Sequence, residues 1–447
     1  MKDDKNFNTN KLDFFTWFIP GLEIKRWLFL MFGGTAFLIL GVAILLDLHP
    51  VHQFFEAIKA VALKLPAPYT GVSVILTGIM FYILGWKRVN SSIIQAIDPG
   101  AHLLENLYIR RKLNKGPKIV TIGGGTGLNT ILKGLKHITG NLTAVVTVGD
   151  DGGSSGRLRE EMGVLPPGDI RNCIAALASE ESLVTELFQY RFKNGQGLEG
   201  HSFGNLFLTA LCAITGDMVS AVKESSKVLS IIGRVLPSTL DDMKLYAEME
   251  DGRVIYGESN IPEAKGKIKR LGATPEDLKA FGDVIFAIED ADIIIMGPGS
   301  LYTSVIPNLL IKDITDAIIK SNAKKVYICN IMTQPGETDG YSVYDHVKAI
   351  LDHSNGSKMI DTVIVNDYLP QELLEKYEEA ESFPVENDLD RVKSLGINVL
   401  IRRLTDENND GYVRHCAKRI TRIIESLHKD SANQPEEGVQ CECFKKY

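Results

Sequence analysis

A strand, a glycine-rich turn and a helix follow one another within residues 118–132, and this junction constrains the fold more than any other stretch. Lys118–Ile122 reads KIVTI, which predicts a short buried strand. The turn after it contains Gly123, Gly124, Gly125 and Gly127. Apolar residues then recur at helical spacing at Leu128, Ile131, Leu132 and Leu135. Because the first amides of a helix lack partners and lie at the positive end of its dipole, the junction predicts a phosphate-binding site.

The glycine pattern also limits which phosphate ligand the turn can take. The dinucleotide fingerprint is G-x-G-x-x-G, and Leu128 or Thr130 occupies its last glycine position, depending on which glycine starts the motif. No Gly-Lys-Ser or Gly-Lys-Thr follows, so the turn is not a Walker A loop. An NAD-binding oxidoreductase therefore stays an alternative that the spacing argues against.

Beyond residue 117 the chain alternates short β-branched runs with longer stretches of helical periodicity. The short runs predict strands at 118–122, 142–148, 292–296, 325–329, 362–366 and 397–401. Helical periodicity is clear at 204–214 and 217–232. Strands separated by helices predict an α/β fold with a mostly parallel, Rossmann-like sheet covered by helices on both faces. The Asp251-Gly252 pair within 244–259 predicts a small β-hairpin excursion.

The second predicted strand ends in a loop with several polar side chains. Its adjacent carboxylates, Asp150 and Asp151, are candidates for holding Mg²⁺ and also for catalysis. Its further candidate ligand-binding residues are Ser154, Ser155 and Arg157. In open α/β sheets ligands bind beyond the carboxyl ends of strands, so this loop is expected beside the glycine turn. The alternative is a polar loop that only caps its own backbone.

Two further segments predict helix starts that face the same region. In PPGDIRN (166–172), Asp169 suits an N-cap, and a catalytic role for it stays open, while Asn172 could face the ligand. In GHSFGN (200–205), Ser202 suits an N-cap and Asn205 lies in the first turn. His201 either binds phosphate or moves a proton, or is a hydrogen-bonded structural residue.

Two more strand exits are rich in glycine or polar residues. The segment 297–304 reads GPGSLYTS and supplies Gly297, Gly299 and Ser300 as candidate ligand contacts. The segment 331–338 reads IMTQPGET and supplies Thr333. Four such loops, each after a strand, predict one shared crevice in which Thr126 and the glycines of the first turn form one wall.

Two uncharged runs near the N-terminus predict a membrane anchor over residues 1–89. The run at 27–46 is about 20 residues long, which as a helix crosses about 30 Å of hydrocarbon, and a second span covers about 69–86. Both runs are apolar all round, which disfavours two core helices. Cations before the first run and after the second place both termini and the α/β domain on the cytoplasmic side of the membrane.

Composition limits the remaining organisation and the partners. Residues 90–116 are predicted to be a linker, 117–430 the α/β domain and 431–447 a disordered tail. The net charge of −7 gives no electrostatic reason to expect nucleic acid as a partner. The six cysteines lack CxxC pairing, which indicates reduced thiols in a cytoplasmic domain. Homo-oligomer formation is left open.

The ordered motifs resemble those of the CofD-like family, and specifically its YvcK-like gluconeogenesis-factor branch. The resemblance covers about 118–428 and is carried by IGGGTG, GDDGGSSGRLR, PPGDIRN, GHSFGN, MGPGSLYTS and NIMTQPGET. It implies a Rossmann-like domain related to 2-phospho-L-lactate transferase. Where that transferase has Asn-Pro after Gly-Pro, this chain has Ser300-Leu301. This difference argues against transfer of a phospholactyl group.

By this resemblance, the expected function is nucleotide-sugar binding rather than transfer. The branch is understood to bind UDP-sugars, particularly UDP-N-acetylglucosamine, and to support cell shape and wall synthesis during gluconeogenic growth. The same resemblance implies that Tyr377 and Arg414 contact that ligand. A tyrosine can stack on uracil, and an arginine can clamp a diphosphate. The alternative is a Mg²⁺-dependent transferase acting on a nucleotide-activated substrate, with Asp150, Asp151 or Asp169 holding the metal.

Overall fold

The chain divides into two compact units, Met1–Arg111 and Lys112–Tyr447. The computed structural model describes residues 111–179, 183–354, 356, 358–368, 377, 379–405 and 415–432, and nearer the N-terminus 52–54, 56–57, 72, 76, 79–80 and 84. Every element and site discussed below belongs to the second unit.

The predicted membrane hairpin falls almost entirely on residues that the structure does not describe. The span at 27–46 lies outside the described residues, and the span at 69–86 is described only at isolated helical positions. Among the described residues, no helix combines the length and apolar character needed to cross a bilayer. The hairpin therefore stays a prediction, as does the tail, which lies outside the described residues from 433 onward.

A seven-stranded parallel sheet forms the centre of the second unit, in the order β10-β9-β8-β7-β1-β2-β3. Its strands are β1 (Ile119–Gly123), β2 (Leu142–Val146), β3 (Arg234–Pro237), β7 (Ile293–Met296), β8 (Lys324–Ile328), β9 (Thr362–Asn366) and β10 (Asn398–Arg402). The predicted strands are thus confirmed to within two residues. The α/β fold with a mostly parallel sheet is also confirmed.

A separate three-stranded antiparallel sheet has the order β5-β4-β6. It contains β4 (Lys244–Met249), β5 (Val254–Tyr256) and β6 (Ile268–Thr274). The β4–β5 pair is the hairpin that Asp251-Gly252 predicted. β6 pairs with the other side of β4, and sequence reasoning missed it because charged residues interrupt its alternation.

Helices connect and cover the strands. The described helices are α1 (Gly125–Leu135), α2 (Gly153–Met162), α3 (Pro167–Leu177), α4 (Leu183–Gln189), α5 (Phe203–Thr215), α6 (Met218–Val228), α7 (Asn260–Glu263), α8 (Gly282–Glu289), α9 (Ile306–Leu309), α10 (Lys312–Lys320), α11 (Val343–His353), α12 (Leu389–Ser394) and α13 (Ala417–Ala432). One turn of π-helix, Leu301–Val305, precedes α9.

The core explains why the central strands lack an alternating pattern. Every residue of β1, β2 and β7 is buried, so both faces of the sheet are covered. The apolar stripe of α1 is also fully buried, at Leu128, Ile131, Leu132 and Leu135. Each such side chain contributes roughly 1.5–3 kcal/mol to folding, which fixes the orientation of α1 on the sheet.

The strand order reverses between β1 and β7. From β1 the chain continues outward to β2 and β3, whereas β7 leads outward to β8, β9 and β10 on the other side. Ligands of open α/β sheets bind outside the carboxyl ends of the strands at such a reversal. The ligand site is therefore expected at the turn after β1 and the loop after β7.

Candidate functional site

The glycine turn after β1 packs against the loop after β7. Gly125 has φ +64°, a left-handed conformation that favours glycine. A Cβ on Gly127 would lie 2.3 Å from the carbonyl oxygen of Pro298, so no side chain fits there. The N-cap of α1, Gly124, has no side chain to accept from the first turn. This helix start can therefore present backbone amides to an anion.

Asp169 contacts the glycine turn instead of capping its own helix. Its Oδ2 accepts a hydrogen bond from Gly125 N at 2.8 Å. The N-cap prediction was wrong because Pro166 occupies the cap of α3 and Pro167 begins the helix, where proline is favoured. Burial raises the pKa of Asp169 to about 6, and the charge of Asp150 adds to the increase. Asp169 therefore changes charge near neutral pH beside the helix start.

The loop after β2 packs against the start of α3. Asp150 Oδ1 accepts from Gly152 N at 3.0 Å, which closes a local turn. A Cβ on Gly168 would lie 2.4 Å from Ser155 Oγ and 3.0 Å from Asp150 Oδ2. The absence of a side chain at 168 thus lets these two candidate residues approach α3 closely. Asp150 Oδ2 therefore lies where the loop after β2 meets the start of α3.

Asp151 has a structural role in the described part of the chain. Its Oδ1 accepts from Ser259 N at 2.9 Å and from Ser259 Oγ at 2.8 Å, and its Oδ2 accepts from Glu258 N at 2.9 Å. These bonds attach the loop after β2 to the segment after β5. Of the two proposed metal ligands, Asp150 is therefore the one with an oxygen available.

Ser154, His201 and Asn205 form a buried hydrogen-bond chain. Asn205 Nδ2 donates to Ser154 Oγ at 3.0 Å, which leaves the hydroxyl to donate to His201 Nδ1 at 2.9 Å. Burial lowers the pKa of His201, and the neighbouring Arg157 lowers it further. Ser202 caps α5 as predicted, accepting from Asn205 N at 3.3 Å. His201 is thus held neutral with Nε2 protonated, a tautomer inferred from this donor sequence.

Arg157 lies at the edge of the same cluster. Its guanidinium donates to the carbonyl oxygen of Glu199 at 2.9 Å and lies beside Gly200. The GHSFGN segment is thereby fixed to the start of α2. Asn172, in the second turn of α3, accepts from Arg171 at 2.7 Å.

The loop after β7 is held by Asn330, which follows β8. Gly299 N donates to Asn330 Oδ1 at 3.2 Å, and Asn330 Nδ2 donates to Gly299 O at 2.8 Å. The carbonyl of Ser300 accepts from Ser304 N at 2.9 Å and starts the π-helix, a feature frequent at functional sites. Ser304 Oγ lies 3.5 Å from where a Cβ of Gly125 would be, so its hydroxyl lies beside the glycine turn.

Two carboxyl groups near this crevice, the buried Glu337 and the half-buried Glu258, were not among the predicted site residues. Glu337 accepts from Gln334 Nε2 at 2.6 Å, Thr303 Oγ1 at 3.1 Å and Tyr302 N at 3.3 Å, and burial raises its pKa to about 7. Burial raises the pKa of Glu258 to about 8, with the charges of Asp150 and Asp151 adding to it. Glu337 lies in the NIMTQPGET motif, whereas Glu258 lies outside the motifs that predicted the site.

Thr333 and Tyr377 are joined by one structural segment. Thr333 Oγ1 accepts from Phe383 N at 2.9 Å, and Ser382 Oγ donates to Thr333 O at 2.6 Å. The carbonyl of Tyr377 accepts from Ser382 N at 2.9 Å. The backbone after Tyr377 therefore returns to the loop after β8, while Arg414 lies outside the described residues.

His415 is the first described residue after that gap. Its Nε2 contacts the carbonyl oxygen of Cys329, at the end of β8, at 3.3 Å. Burial lowers the pKa of His415 to about 4. The backbone at 415 is bridged to Thr405, so this position is anchored at the carboxyl edge of the sheet.

A cavity of about 620 Å³ adjoins the glycine turn. It is lined by Thr126, Gly127, Asn129, Thr130, Lys133, Lys136, Asn172, Ala175, Ala176, Ala178, Thr185, Glu186, Gln189 and His415. Its volume lies in the range of small-molecule sites. A cavity of about 300 Å³ at the opposite edge of the sheet, beside Lys118 and Arg234, is remote from all the predicted site residues.

Comparison with known proteins identifies the family. The model of the family described as 2-phospho-L-lactate transferase CofD matches residues 119–405. A relative from Nostoc sp. (strain PCC 7120) is 52% identical over 417 residues, which cover 92% of this chain and 91% of that protein. The gluconeogenesis factor of Bacillus subtilis (strain 168) is 50% identical over 319 residues, which cover 71% of this chain and 100% of that protein.

Solved structures agree with this grouping. The crystal structure of a protein from Bacillus halodurans is 47% identical and covers 70% of this chain and 100% of that one, with a TM-score of 0.68. The resemblance drawn from the ordered motifs is thus confirmed at the level of the family. The chain belongs to the CofD family and, within it, to the gluconeogenesis factors.

Proposed function

We propose that the α/β unit binds a nucleotide-sugar of the UDP-N-acetylglucosamine type and acts as a binding regulator that supports cell shape and wall synthesis during gluconeogenic growth. The observation that carries the proposal is the start of α1 at the strand-order reversal, next to Gly299 and Ser304. Gly124 supplies no capping side chain there, and Asp169 accepts only from the first amide, Gly125 N. The amides of Thr126 and Gly127 would hold the diphosphate, with the Ser304 hydroxyl beside them.

Binding without turnover is supported by how the acidic residues are used. Asp151 already accepts three hydrogen bonds from Glu258 and Ser259, so it serves the fold rather than a metal. Asp169 likewise accepts from Gly125 N, so both of these carboxylates join loops in the folded chain.

A Mg²⁺-dependent transferase is the second candidate, favoured by the family match and by the raised pKa values of Asp169 and Glu258. Mg²⁺ is usually held by one or two carboxylates together with substrate phosphates, and Asp150 Oδ2 fits that role. When bound, Mg²⁺ would supply neutralisation of the charge that develops on the diphosphate. The Asp169 carboxylate would then lie near a cation, which lowers the cost of ionising it.

Calorimetric titration and thermal shift of the full chain test the proposal, with UDP-N-acetylglucosamine, GDP and NAD each added with and without Mg²⁺. A ligand that binds only the folded state raises the free energy of unfolding by RT ln(1 + [L]/Kd). We expect stabilisation by the UDP-sugar, with GDP and NAD weaker. A titration in which no UDP-sugar binds would eliminate the proposal.

A matched pair of glycine variants locates the binding site. Gly127→Ala pushes a Cβ into Pro298 O at 2.3 Å, whereas Gly282→Ala begins α8 with nothing within 4 Å. We expect Gly127→Ala to weaken the UDP-sugar by at least about tenfold and Gly282→Ala to leave it unchanged. Equal affinities in the two variants would place the ligand elsewhere. A strain carrying Gly127→Ala should also grow poorly on gluconeogenic carbon sources.

We further propose that the N-terminal residues tether this function to the cytoplasmic face of the membrane. The support is the two uncharged runs, together with the wider alignment to the Nostoc relative than to the Bacillus subtilis protein. The full chain should stay in the membrane fraction after an alkaline carbonate wash. Release by that wash would exclude spanning helices.

A further inference from the structure

The cavity beside α1 has a lining that suits a neutral, hydroxyl-rich group. It lies between α1, α3 and α4 and reaches the glycine turn at Thr126 and Gly127. Its floor consists of three small side chains, Ala175, Ala176 and Ala178. Amide and hydroxyl side chains on its walls can both donate and accept, as sugar hydroxyls require: Asn129, Thr130, Asn172, Thr185 and Gln189.

One wall residue has an unused acceptor. Asn129 Oδ1 is buried and has no hydrogen-bond partner in the structure. A buried acceptor left in this state is unfavourable, and a ligand donor that reached it would relieve that penalty. The described lining contains no phenylalanine, tyrosine or tryptophan, so it offers no benzene or indole ring on which a base could stack. The same lining has three charged residues: Lys133 and Glu186 carry opposite charges, and Lys136 is buried with its Nζ donating to the carbonyl oxygen of Ala178 at 2.6 Å.

We propose that this cavity binds the sugar portion of the nucleotide-sugar whose diphosphate lies at the start of α1. The inference rests on the proposed function, because it uses the diphosphate to fix where the cavity is entered. A ribose and a pyranose share the hydroxyl-rich chemistry that the walls recognise. The exposed Gln189 amide would contact the sugar, and the Asn129 side chain would do so once its buried Oδ1 turns toward the cavity, while the alanine floor leaves the sugar room.

Two variants with different effects test the cavity. Ala175→Leu fills the floor, where Ala175 is 8% exposed, and Gln189→Ala removes an exposed wall amide without filling anything. Ala210→Leu, at an exposed position of α5 that does not line the cavity, is the matched control. If Ala175→Leu fails to fold, Gln189→Ala still decides the result.

The measurement is calorimetric titration of the full chain and each variant with UDP-N-acetylglucosamine and with UDP. Losing one or two sugar hydrogen bonds corresponds to about a tenfold increase in Kd. If a pyranose occupies the cavity, the two cavity variants weaken UDP-N-acetylglucosamine about tenfold and leave UDP unchanged. If the ribose occupies it, both ligands weaken alike, and the control variant matches the parent protein in either case.

Two different results would separate a wrong sugar site from a wrong proposed function. If the unmodified chain binds UDP-N-acetylglucosamine and the cavity variants bind both ligands as it does, the cavity does not hold a sugar. If the unmodified chain binds neither ligand, the proposed function fails and takes the inference with it.

Discussion

Asp169 should make nucleotide-sugar binding depend on pH in a definite direction. It accepts from Gly125 N at 2.8 Å, in the helix turn proposed to hold the diphosphate. Burial, with the charge of Asp150, raises its pKa to about 6. A diphosphate diester stays anionic across this range, so its arrival raises that pKa further and binding takes up a proton. Affinity is therefore highest below about pH 6 and falls as the pH rises through that value.

The size of the effect follows from the proposed position of the ligand. Asp169 Oδ2 lies 2.8 Å from Gly125 N, and a phosphate oxygen on the neighbouring amide would lie one further hydrogen-bond length of about 2.9 Å away, so the two charges would be roughly 6 Å apart. Two unit charges at about 6 Å repel by roughly 3 kcal/mol at an effective dielectric constant of about 20. That repulsion corresponds to about a hundredfold change in Kd. Raising the salt concentration should reduce it.

Calorimetric titration of UDP-N-acetylglucosamine at about pH 5 and about pH 8, without Mg²⁺, measures the effect. The unmodified chain should bind up to about a hundredfold more weakly at the higher pH. Asp169→Asn keeps an acceptor for Gly125 N but cannot ionise, so its Kd should depend far less on pH. Asp283→Asn, an acidic residue in the first turn of α8, is the matched control. If Asp169→Asn and the unmodified chain show the same pH dependence, ionisation of Asp169 is not its cause.

Three predictions concern stability. Asp151→Asn should lower the free energy of unfolding by roughly 1–3 kcal/mol in denaturant titrations, because an amide cannot accept all three hydrogen bonds. An unchanged midpoint would contradict the role of Asp151 in joining the loops. Asp169→Asn should raise the melting temperature of the unliganded chain at about pH 8, since burying the ionised carboxylate is unfavourable above its pKa of about 6; a lower value would contradict this. His415 stays neutral in the folded chain down to a pKa of about 4, whereas the unfolded chain binds a proton below about pH 6.5. Stability is therefore lost as the pH falls from about 6.5 to 4, and His415→Gln should flatten this loss in calorimetric scans.

The sequence predicted the elements whose signals are local. The β-branched runs of β1, β2 and β7 are buried on both faces, so their continuous apolar character identified them. β3 was missed because it is a short edge strand with an exposed Arg234 at one end and Pro237 at the other. Its pairing with β2, more than 80 residues earlier in the chain, leaves little local trace.

The candidate site was predictable only as a set of loops. The strand exits indicated that the glycine turn and the loop after β7 would meet, and the close approach of Gly127 to Pro298 agrees. The side-chain pairings depend on tertiary structure. Asp169 has a good local reason to cap α3, yet two prolines displace it to Gly125. Glu258 lies in the turn after β5, and its proximity to Asp150 follows only from how the loops pack.

The proposed function requires that the chain binds a nucleotide-sugar without consuming it. The most direct measurement is a phosphorus NMR spectrum of UDP-N-acetylglucosamine with a stoichiometric amount of the full chain and Mg²⁺, followed over hours. Both diphosphate resonances should shift or broaden on binding, Gly127→Ala should abolish this change, and no new phosphorus species should form. Unperturbed resonances, or the growth of a UMP, UDP or new diester signal, would contradict the proposed function.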